Sequence, residues 1–350
     1  MKTRIIQVDE KNIDKEVIRE AGGIIRSGGL VAFPTETVYG LGGDALNPAS
    51  SRKIYEAKGR PSDNPLIVHI ARWEALAAIV KRVPEEAVKL ARDYWPGPLT
   101  IILEKSDLVP KETTGGLDTV AVRMPSHKTA LDFIEAAGGY VAAPSANRSG
   151  RPSPTVARYV IQDLNGRIEM ILDGGDVELG LESTIVDLTA QMPTILRPGY
   201  VTRQMLEQTL DEVEEDVTIL RADSGQAPKA PGMKYRHYAP KGELTIITGP
   251  ERKVVDYINI QLDQWRAGNK KTGVIATDAT MGAYRADVCK NAGSRLDESA
   301  MARQLYRILR EFDDEGVEII YSESFEGSGV GQAVMNRLLK AAGHRVTELK

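Results

Sequence analysis

The chain has 350 residues, which at about 150 residues per domain implies two domains. Its 45 Lys and Arg against 49 Asp and Glu give a net charge of -4, which excludes a chain whose main task is neutralising nucleic-acid phosphates. The single cysteine, Cys289, excludes an internal disulfide framework and a cysteine-built zinc site, fits a reducing compartment, and reads as a small buried hydrophobe.

The N-terminus turns acidic at Asp9-Glu10, where a signal peptide would carry its apolar core. No apolar run approaches the roughly 20 residues that span a bilayer, so the expected compartment is the cytoplasm. From Asn12 to Gly29, Ile13, Val17, Ala21, Ile24 and Ile25 recur at helical spacing, and Gly28-Gly29 stop the helix. Leu30–Phe33 reads as a strand ending at Pro34. The stretch from Phe33 to Ala45, dense in hydroxyls and glycines, reads as a strand running into a turn that either faces a ligand or is plain structure. Lacking Gly-Lys-Ser/Thr, it is no Walker A loop.

Ser50 or Ser51 can cap a helix that reaches Lys58 and closes at Gly59 and Pro61. Leu66–Ile70 is the next strand. Pro84–Tyr94 is helical, Leu99–Glu104 and Thr119–Met124 are strands, and Ser126–Ala137 is a helix. Then come strand Tyr140–Ala143, helix Val156–Leu164, strands Glu169–Leu172, Ser183–Leu188 and Thr194–Leu196, and helix Val201–Leu210. Helices and strands intermix over residues 1–212, which predicts one α/β domain. Several strands follow one another without a helix between, so the sheet is expected to be mixed. An acidic run at Asp211–Asp216 and a proline-bearing, basic stretch predict a linker at 213–242. Over 243–350, three strands (Leu244–Thr248, Gly273–Thr277, Glu318–Ser322) alternate with three helices (Val254–Trp265, Ser299–Glu315, Val330–Ala342). This predicts a small Rossmann-like parallel sheet.

Lys58-Gly59-Arg60-Pro61 sets two cations at a helix C-terminus. They either face a polyphosphate, Arg60 as a fork and Lys58 as a point charge, or complete the helix dipole. The run from Ala142 to Pro154 takes an apolar strand into small polar residues and two arginines, the place where α/β domains hold ligands or simply turn. His69, inside an apolar strand, is either a satisfied core residue or a ligand-binding one. Arg123, in an equally apolar strand, needs an anion if buried: Asp187, Glu182 or a substrate carboxylate. Arg197 presents the same choice. No His/Asp/Glu cluster has metal-ligand spacing and no Gly-x-Ser-x-Gly elbow occurs, which argues against covalent catalysis. Phe325–Gln332 precedes a helix and reads as a helix-start loop, with anion binding as the alternative.

Taken together, Pro34-Thr35-Glu36-Thr37-Val38-Tyr39-Gly40-Leu41, Lys58-x-Arg60, Asn64-Pro65-Leu66, Trp95-Pro96-Gly97-Pro98-Leu99-Thr100, Arg123-x-Pro125, Pro144-Ser145-Ala146-Asn147-x-Ser149-Gly150, Ser183-Thr184-Ile185-Val186-Asp187 and Arg197-Pro198-Gly199 closely resemble the long, two-domain form of the threonylcarbamoyl-AMP synthases. Pro231–Pro240 resembles that form's linker. The resemblance implies an α/β fold: a YrdC-like domain whose twisted mixed sheet and helices surround an open cavity, plus a smaller Rossmann-like domain. It implies a reaction of L-threonine, bicarbonate and ATP, with Mg²⁺ carried by the phosphates, giving L-threonylcarbamoyladenylate and diphosphate. A downstream threonylcarbamoyl-transferase complex would then modify tRNA beside the anticodon, so tRNA is an indirect partner and the chain a monomer without a membrane.

By the same resemblance Lys58, Arg60, Ser145 and Asn147 form a catalytic tetrad. Arg60, Asn64, Thr119, Ala143, Ser145, Ser153, Arg197 and Tyr235 line ATP, with Tyr235 coming from a linker folded over the cavity. Thr37, His69, Arg123 and Ser183 hold threonine. The alternatives are an RNA-binding module without ATP turnover, disfavoured by the acidic charge and 5% aromatics, and a carbamoyltransferase, whose zinc-type Cys motifs are missing here.

Overall fold

The computed structural model describes residues 2–216, 237–325, 327 and 329–350. The chain divides into two units, one of residues 1–149 and 153–235, the other of residues 150–152 and 236–350.

In the first unit the elements run β1 (Arg4–Gln7), α1 (Lys15–Arg26), β2 (Val31–Phe33), β3 (Gly40–Asp44), α2 (Pro48–Lys58), β4 (Ile67–His69), α3 (Leu76–Ile79), α4 (Glu85–Tyr94), β5 (Leu99–Glu104), β6 (Thr119–Arg123), α5 (Lys128–Ala136), β7 (Val141–Ala143), α6 (Ala157–Leu164), β8 (Met170–Asp173), β9 (Thr184–Asp187), β10 (Thr194–Arg197), α7 (Arg203–Leu210) and β11 (Glu214–Glu215). The strands form one sheet in the order β1-β8-β2-β3-β7-β4-β6-β5-β9-β10-β11. It is mixed, as the strand-to-strand succession predicts: β4 runs parallel to β6 and β5 to β9, while β7 and β5 oppose their neighbours β4 and β6.

Strand residues alternate between the two faces. Ala32, Leu41, Val68, Ile101, Val120, Val122 and Ala142 face the main core, with side chains of α2, α3, α4 and α6. The opposite parity, Val31, Phe33, Val141, Met170 and Leu172, packs under α1 and α5. Further along that same face Ile67, Ile102, Ala121, Ile185 and Leu196 form a small cluster made of strand residues alone.

Two local expectations are corrected. The glycine-rich stretch after Phe33 is not all turn: Gly40–Asp44 is β3, paired antiparallel with β2. Its glycines answer to packing, since a Cβ would stand 3.0 Å from the Phe33 ring at Gly40, 2.8 Å from Val141 at Gly42 and 3.0 Å from Ile54 at Gly43. The cap of α2 is neither Ser50 nor Ser51 but Asn47, whose side chain accepts from the Ala49 N–H ahead of Pro48. Gly59, at φ 62°, closes the helix in the left-handed region.

The second unit holds β12 (Glu243–Thr248), α8 (Glu251–Ala267), β13 (Thr272–Ala276), β14 (Val288–Asn291), α9 (Glu298–Asp314), β15 (Ile319–Glu323), α10 (Val330–Ala341) and β16 (Val346–Glu348). They build an all-parallel sheet in the order β14-β13-β15-β12-β16. The two edge strands, β14 and β16, escape a reading by hydropathy because most of their side chains are partly or fully exposed. At the start of α10 the Gly331 N–H is taken by the Glu298 carboxylate at 2.7 Å, so a side chain of the unit itself meets that donor. Cys289 is half-buried, and burial pushes its thiol up to about 11.

Helices α1 and α5 touch so closely that a Cβ at Gly22 would lie 2.4 Å from the Ala136 carbonyl oxygen. Gly22→Ala is expected to cost about 1–3 kcal/mol in urea unfolding despite alanine's better helix propensity. Gly23→Ala, whose Cβ would meet only the Arg26 side chain at 3.8 Å, is the control and should be neutral or mildly stabilising.

Candidate active site

The register of the central strands gathers four of the predicted residues on one face of the sheet. Across β4, β6 and β5 the pairs are Ile67–Ala121, His69–Arg123, Arg123–Thr100, Ala121–Ile102 and Thr119–Glu104, with Ile67–Ala143 on the β7 side. By the two-residue alternation, His69, Thr119, Arg123 and Ala143 share the face floored by Ile67, Ala121, Ile102 and Ile185. Thr119 and Arg123 stand at opposite ends of β6, about 13 Å apart at the rise of an extended strand.

At the Thr119 end, Lys58 leaves α2 almost fully buried, 2% exposed. Its Nζ donates to the carbonyl oxygens of Ser145 and Asn147 and lies 3.4 Å from Asn147 Oδ1. The Lys58 carbonyl in turn accepts the Ser149 N–H at 2.9 Å, and Ser145 Oγ donates to Asn147 Oδ1. Arg60 reaches the carbonyls of Asn64 at 3.3 Å and Pro65 at 3.2 Å through Nη2. Tyr55 donates to the same Asn64 carbonyl at 3.2 Å, and burial pushes its phenol up to about 12 against the lowering influence of Arg60. The structure thus brings the four tetrad residues and Asn64 together. The Asn64 side chain is buried, and neither its Nδ2 nor its Oδ1 has a hydrogen-bond partner among the described residues.

At the Arg123 end, the Thr35-Glu36-Thr37 loop between β2 and β3 is folded by Thr35 Oγ1, which donates to the Val38 carbonyl at 2.7 Å. It is pinned by the Leu179 and Gly180 N–H groups on the Glu36 and Thr37 carbonyls. Arg123 is 4% exposed. It donates through Nη1 to Thr37 Oγ1 at 2.9 Å and through Nε to the Gly97 carbonyl at 3.3 Å. Its buried anion is Glu36, at 2.7 Å from Nη2, and neither Asp187 nor Glu182. Asp187 instead takes the Thr189 hydroxyl, and Glu182 the Ser153 hydroxyl at 2.6 Å. Ser183 Oγ bonds Thr100 Oγ1 at 2.7 Å, and Arg197 donates through Nε and Nη2 to the Ser183 carbonyl. Arg197, expected on the nucleotide, therefore touches Ser183, expected on threonine. Tyr235, and with it the lid expected of the linker, lies outside the described residues.

Sequence reasoning missed Glu36 and Thr100 as members of these networks, and offered Glu182 as an anion for Arg123 where its partner is Ser153. Thr100 was findable, because it has the strand parity of Ile102. Glu36 and Glu182 sit in loops, where no periodicity marks the side that faces inward. Among the described residues no group of three or more His, Cys, Asp or Glu could hold a metal ion, and no helix is long and apolar enough to cross a membrane.

His69 is buried, and its Nδ1 lies 3.1 Å from the Ile67 carbonyl. Burial, reinforced by Arg123, lowers its pKa from 6.5 to about 3. The unfolded chain therefore takes up this proton below 6.5, whereas the folded chain refuses it until about 3. The stabilisation is complete above 6.5 and drains away as pH falls. From about pH 6.5 to 5, above the ordinary carboxylate range, unfolding free energy should drop with a slope approaching 1.4 kcal/mol per pH unit for this proton. His69→Asn should remove this one-proton share of the slope from a urea-unfolding profile and leave the share of His127 and His344, whose burial also lowers them.

Comparison with known proteins identifies the family. The Sua5/YciO/YrdC family model, described as "Telomere recombination", matches residues 23–199, and the model "Threonylcarbamoyl-AMP synthase, C-terminal domain" matches residues 201–343. The threonylcarbamoyl-AMP synthase of Pyrococcus abyssi is 49% identical over 99% of this chain and 100% of that relative. That of Bacillus subtilis is 46% identical over 97% of this chain and 96% of the relative. The crystal structure of P. abyssi Sua5 complexed with L-threonine matches at a TM-score of 0.94 and 48% identity, covering 99% of this chain and 100% of that one. The chain belongs to the threonylcarbamoyl-AMP synthases, enzymes of the nucleotidyltransferase type.

Proposed function

We propose that the chain joins L-threonine, bicarbonate and ATP into L-threonylcarbamoyladenylate and diphosphate. The observation that carries this reading is the meeting of Lys58, Arg60, Asn64, Ser145 and Asn147 at one end of a sheet face whose other end holds His69, Arg123 and Thr37. The threonine amine attacks bicarbonate with loss of water, or the CO2 that bicarbonate releases with loss of a proton, to give a carbamate. A carbamate oxygen then attacks the α-phosphorus of ATP, and diphosphate leaves with the electron pair of the broken P–O bond.

Each group in the chain has work in that scheme. Arg60 and Lys58 place positive charge where the triphosphate gathers negative charge. Ser145 and Asn147 orient the reacting oxygens. The unmet amide of Asn64, with Thr119, the Ala143 backbone, Ser153 and Arg197, suits the nucleotide. Arg123 takes the threonine carboxylate beside Thr37, His69 and Ser183, and L-threonine bound to the P. abyssi relative supports that choice of amino acid. Tyr235 would close over the nucleotide from the linker. Mg²⁺ travels on the phosphates. The apolar floor of Ile67, Ala121 and Ile102 keeps water from the labile carbamate.

The product then serves a separate transferase complex that modifies the adenosine beside the tRNA anticodon. The reaction is placed in the cytoplasm, with the chain as a monomer. The RNA-module alternative gives way because the family is one of enzymes.

The test is diphosphate release. The wild-type chain should release it with L-threonine out of the twenty amino acids, and only with bicarbonate present. Arg60→Ala should lower the rate at least about 100-fold while circular dichroism stays unchanged. Wild-type-like turnover in that variant would overturn the assignment.

A further inference from the structure

The Glu36–Arg123 pair is buried on both sides, at 4% exposure each. Two buried opposite charges persist when their remaining hydrogen-bonding capacity is also met. Here it is not. Arg123 Nη2 and both carboxylate oxygens of Glu36 lack a partner of hydrogen-bonding geometry among the described residues, although Nη2 and Oε1 stand only 2.7 Å apart. The other two Arg123 nitrogens are engaged, by Thr37 and by the Gly97 carbonyl. What is left over is one unmet donor beside unmet acceptors of opposite charge. The neighbouring histidines add little positive charge: burial lowers both His69 and His127 from their ordinary value.

A leftover of this kind fits an α-amino acid, whose carboxylate and ammonium are separated by one carbon. We infer that Glu36 is a specificity-determining residue that binds the α-ammonium of the amino-acid substrate, while Arg123 binds its carboxylate. The inference rests on the reaction proposed above for the identity of the amino acid. It explains why a carboxylate is buried at this end of a site whose other end must attract a polyphosphate.

Two ligands separate this role from that of a mere support for Arg123. L-Threonine carries the ammonium; the 2,3-dihydroxybutanoate of matching configuration replaces it by a hydroxyl and keeps the carboxylate. Binding is measured by isothermal titration calorimetry without bicarbonate, so that nothing turns over. The wild-type chain should prefer threonine by about 10- to 100-fold, the range of a charge-assisted hydrogen bond. In Glu36→Gln threonine should weaken by that factor and the hydroxy acid stay within about two-fold, so that the preference collapses. Equal weakening of both ligands would show that Glu36 only positions Arg123, and an unchanged preference would show that it contacts neither; each overturns the inference. If Glu36→Gln does not fold, Glu36→Asp, which keeps the charge but shortens its reach, should still cut the preference several-fold, and an unchanged ratio there overturns it too. A wild-type chain that prefers threonine but releases no diphosphate would overturn the proposed reaction and leave the ammonium contact standing.

Discussion

A lysine ammonium taken out of water at the end of α2 fixes the shape of the loop on which the proposed chemistry depends. A buried charge is tolerated only where polar groups replace its lost hydration. For Lys58 the replacement includes the carbonyls of Ser145 and Asn147, and the Lys58 carbonyl returns a hydrogen bond to Ser149. The loop after β7 cannot open without stranding that charge. Its side chains are then placed as a consequence: Ser145 Oγ donates to Asn147 Oδ1, and that same oxygen lies within reach of Lys58. The two readings of Lys58, helix-dipole partner and phosphate-facing cation, are compatible. Gly59 ends the helix in the left-handed conformation, and the lysine one residue earlier extends from the negative end of the dipole into the loop.

That loop matters because of where the sheet puts it. On one face the sheet is buried under helices along its length. On the other, α1 and α5 cover only the part around β2, β7 and β8, while the cluster across β4, β6, β5 and β9 is made of strand side chains. A mixed sheet with short strands is what lets α2, the loop between β2 and β3 and the loop after β7 all deliver residues to this second region. Side chains from β4 and β6 then stand in rows, His69 beside Arg123 and Ile67 beside Ala121.

Much of this was legible in the chain itself. Apart from the four-residue α3, which the sequence reading passed over, the helices of the first unit follow from their apolar spacing and caps, and the central strands from short apolar runs. Motif resemblance marked Lys58, Arg60, Ser145 and Asn147; the structure bonds Lys58 to Ser145 and Asn147, and Arg60 follows Lys58 by two residues and reaches the Asn64 carbonyl. The failures have physical causes. Glycine hid β3, because glycine signals both a turn and a close approach, and only the neighbours Phe33, Val141 and Ile54 decide between them. Asn47 was passed over as a cap in favour of serines that lie buried within the helix. Arg123 was known to need an anion, but a partner 87 positions away in a loop has no periodic signature, and the acids considered, Asp187 and Glu182, are engaged elsewhere.

The distribution of charge along the sheet face gives the arrangement its chemical logic. A triphosphate calls for positive charge alone, and the end near Thr119 offers Lys58 and Arg60. An amino acid calls for both signs, and the end near Arg123 pairs a guanidinium with a carboxylate while holding His69 neutral at physiological pH. Were His69 protonated, two cations would crowd one small anion and repel the ammonium. Its burial against Phe33, edge to face, prevents this by making the charged form costly. Between the two ends lie isoleucine and alanine, which bind neither charge. On the proposed reading the reactants are sorted by electrostatics at the ends of the face and joined over its apolar middle.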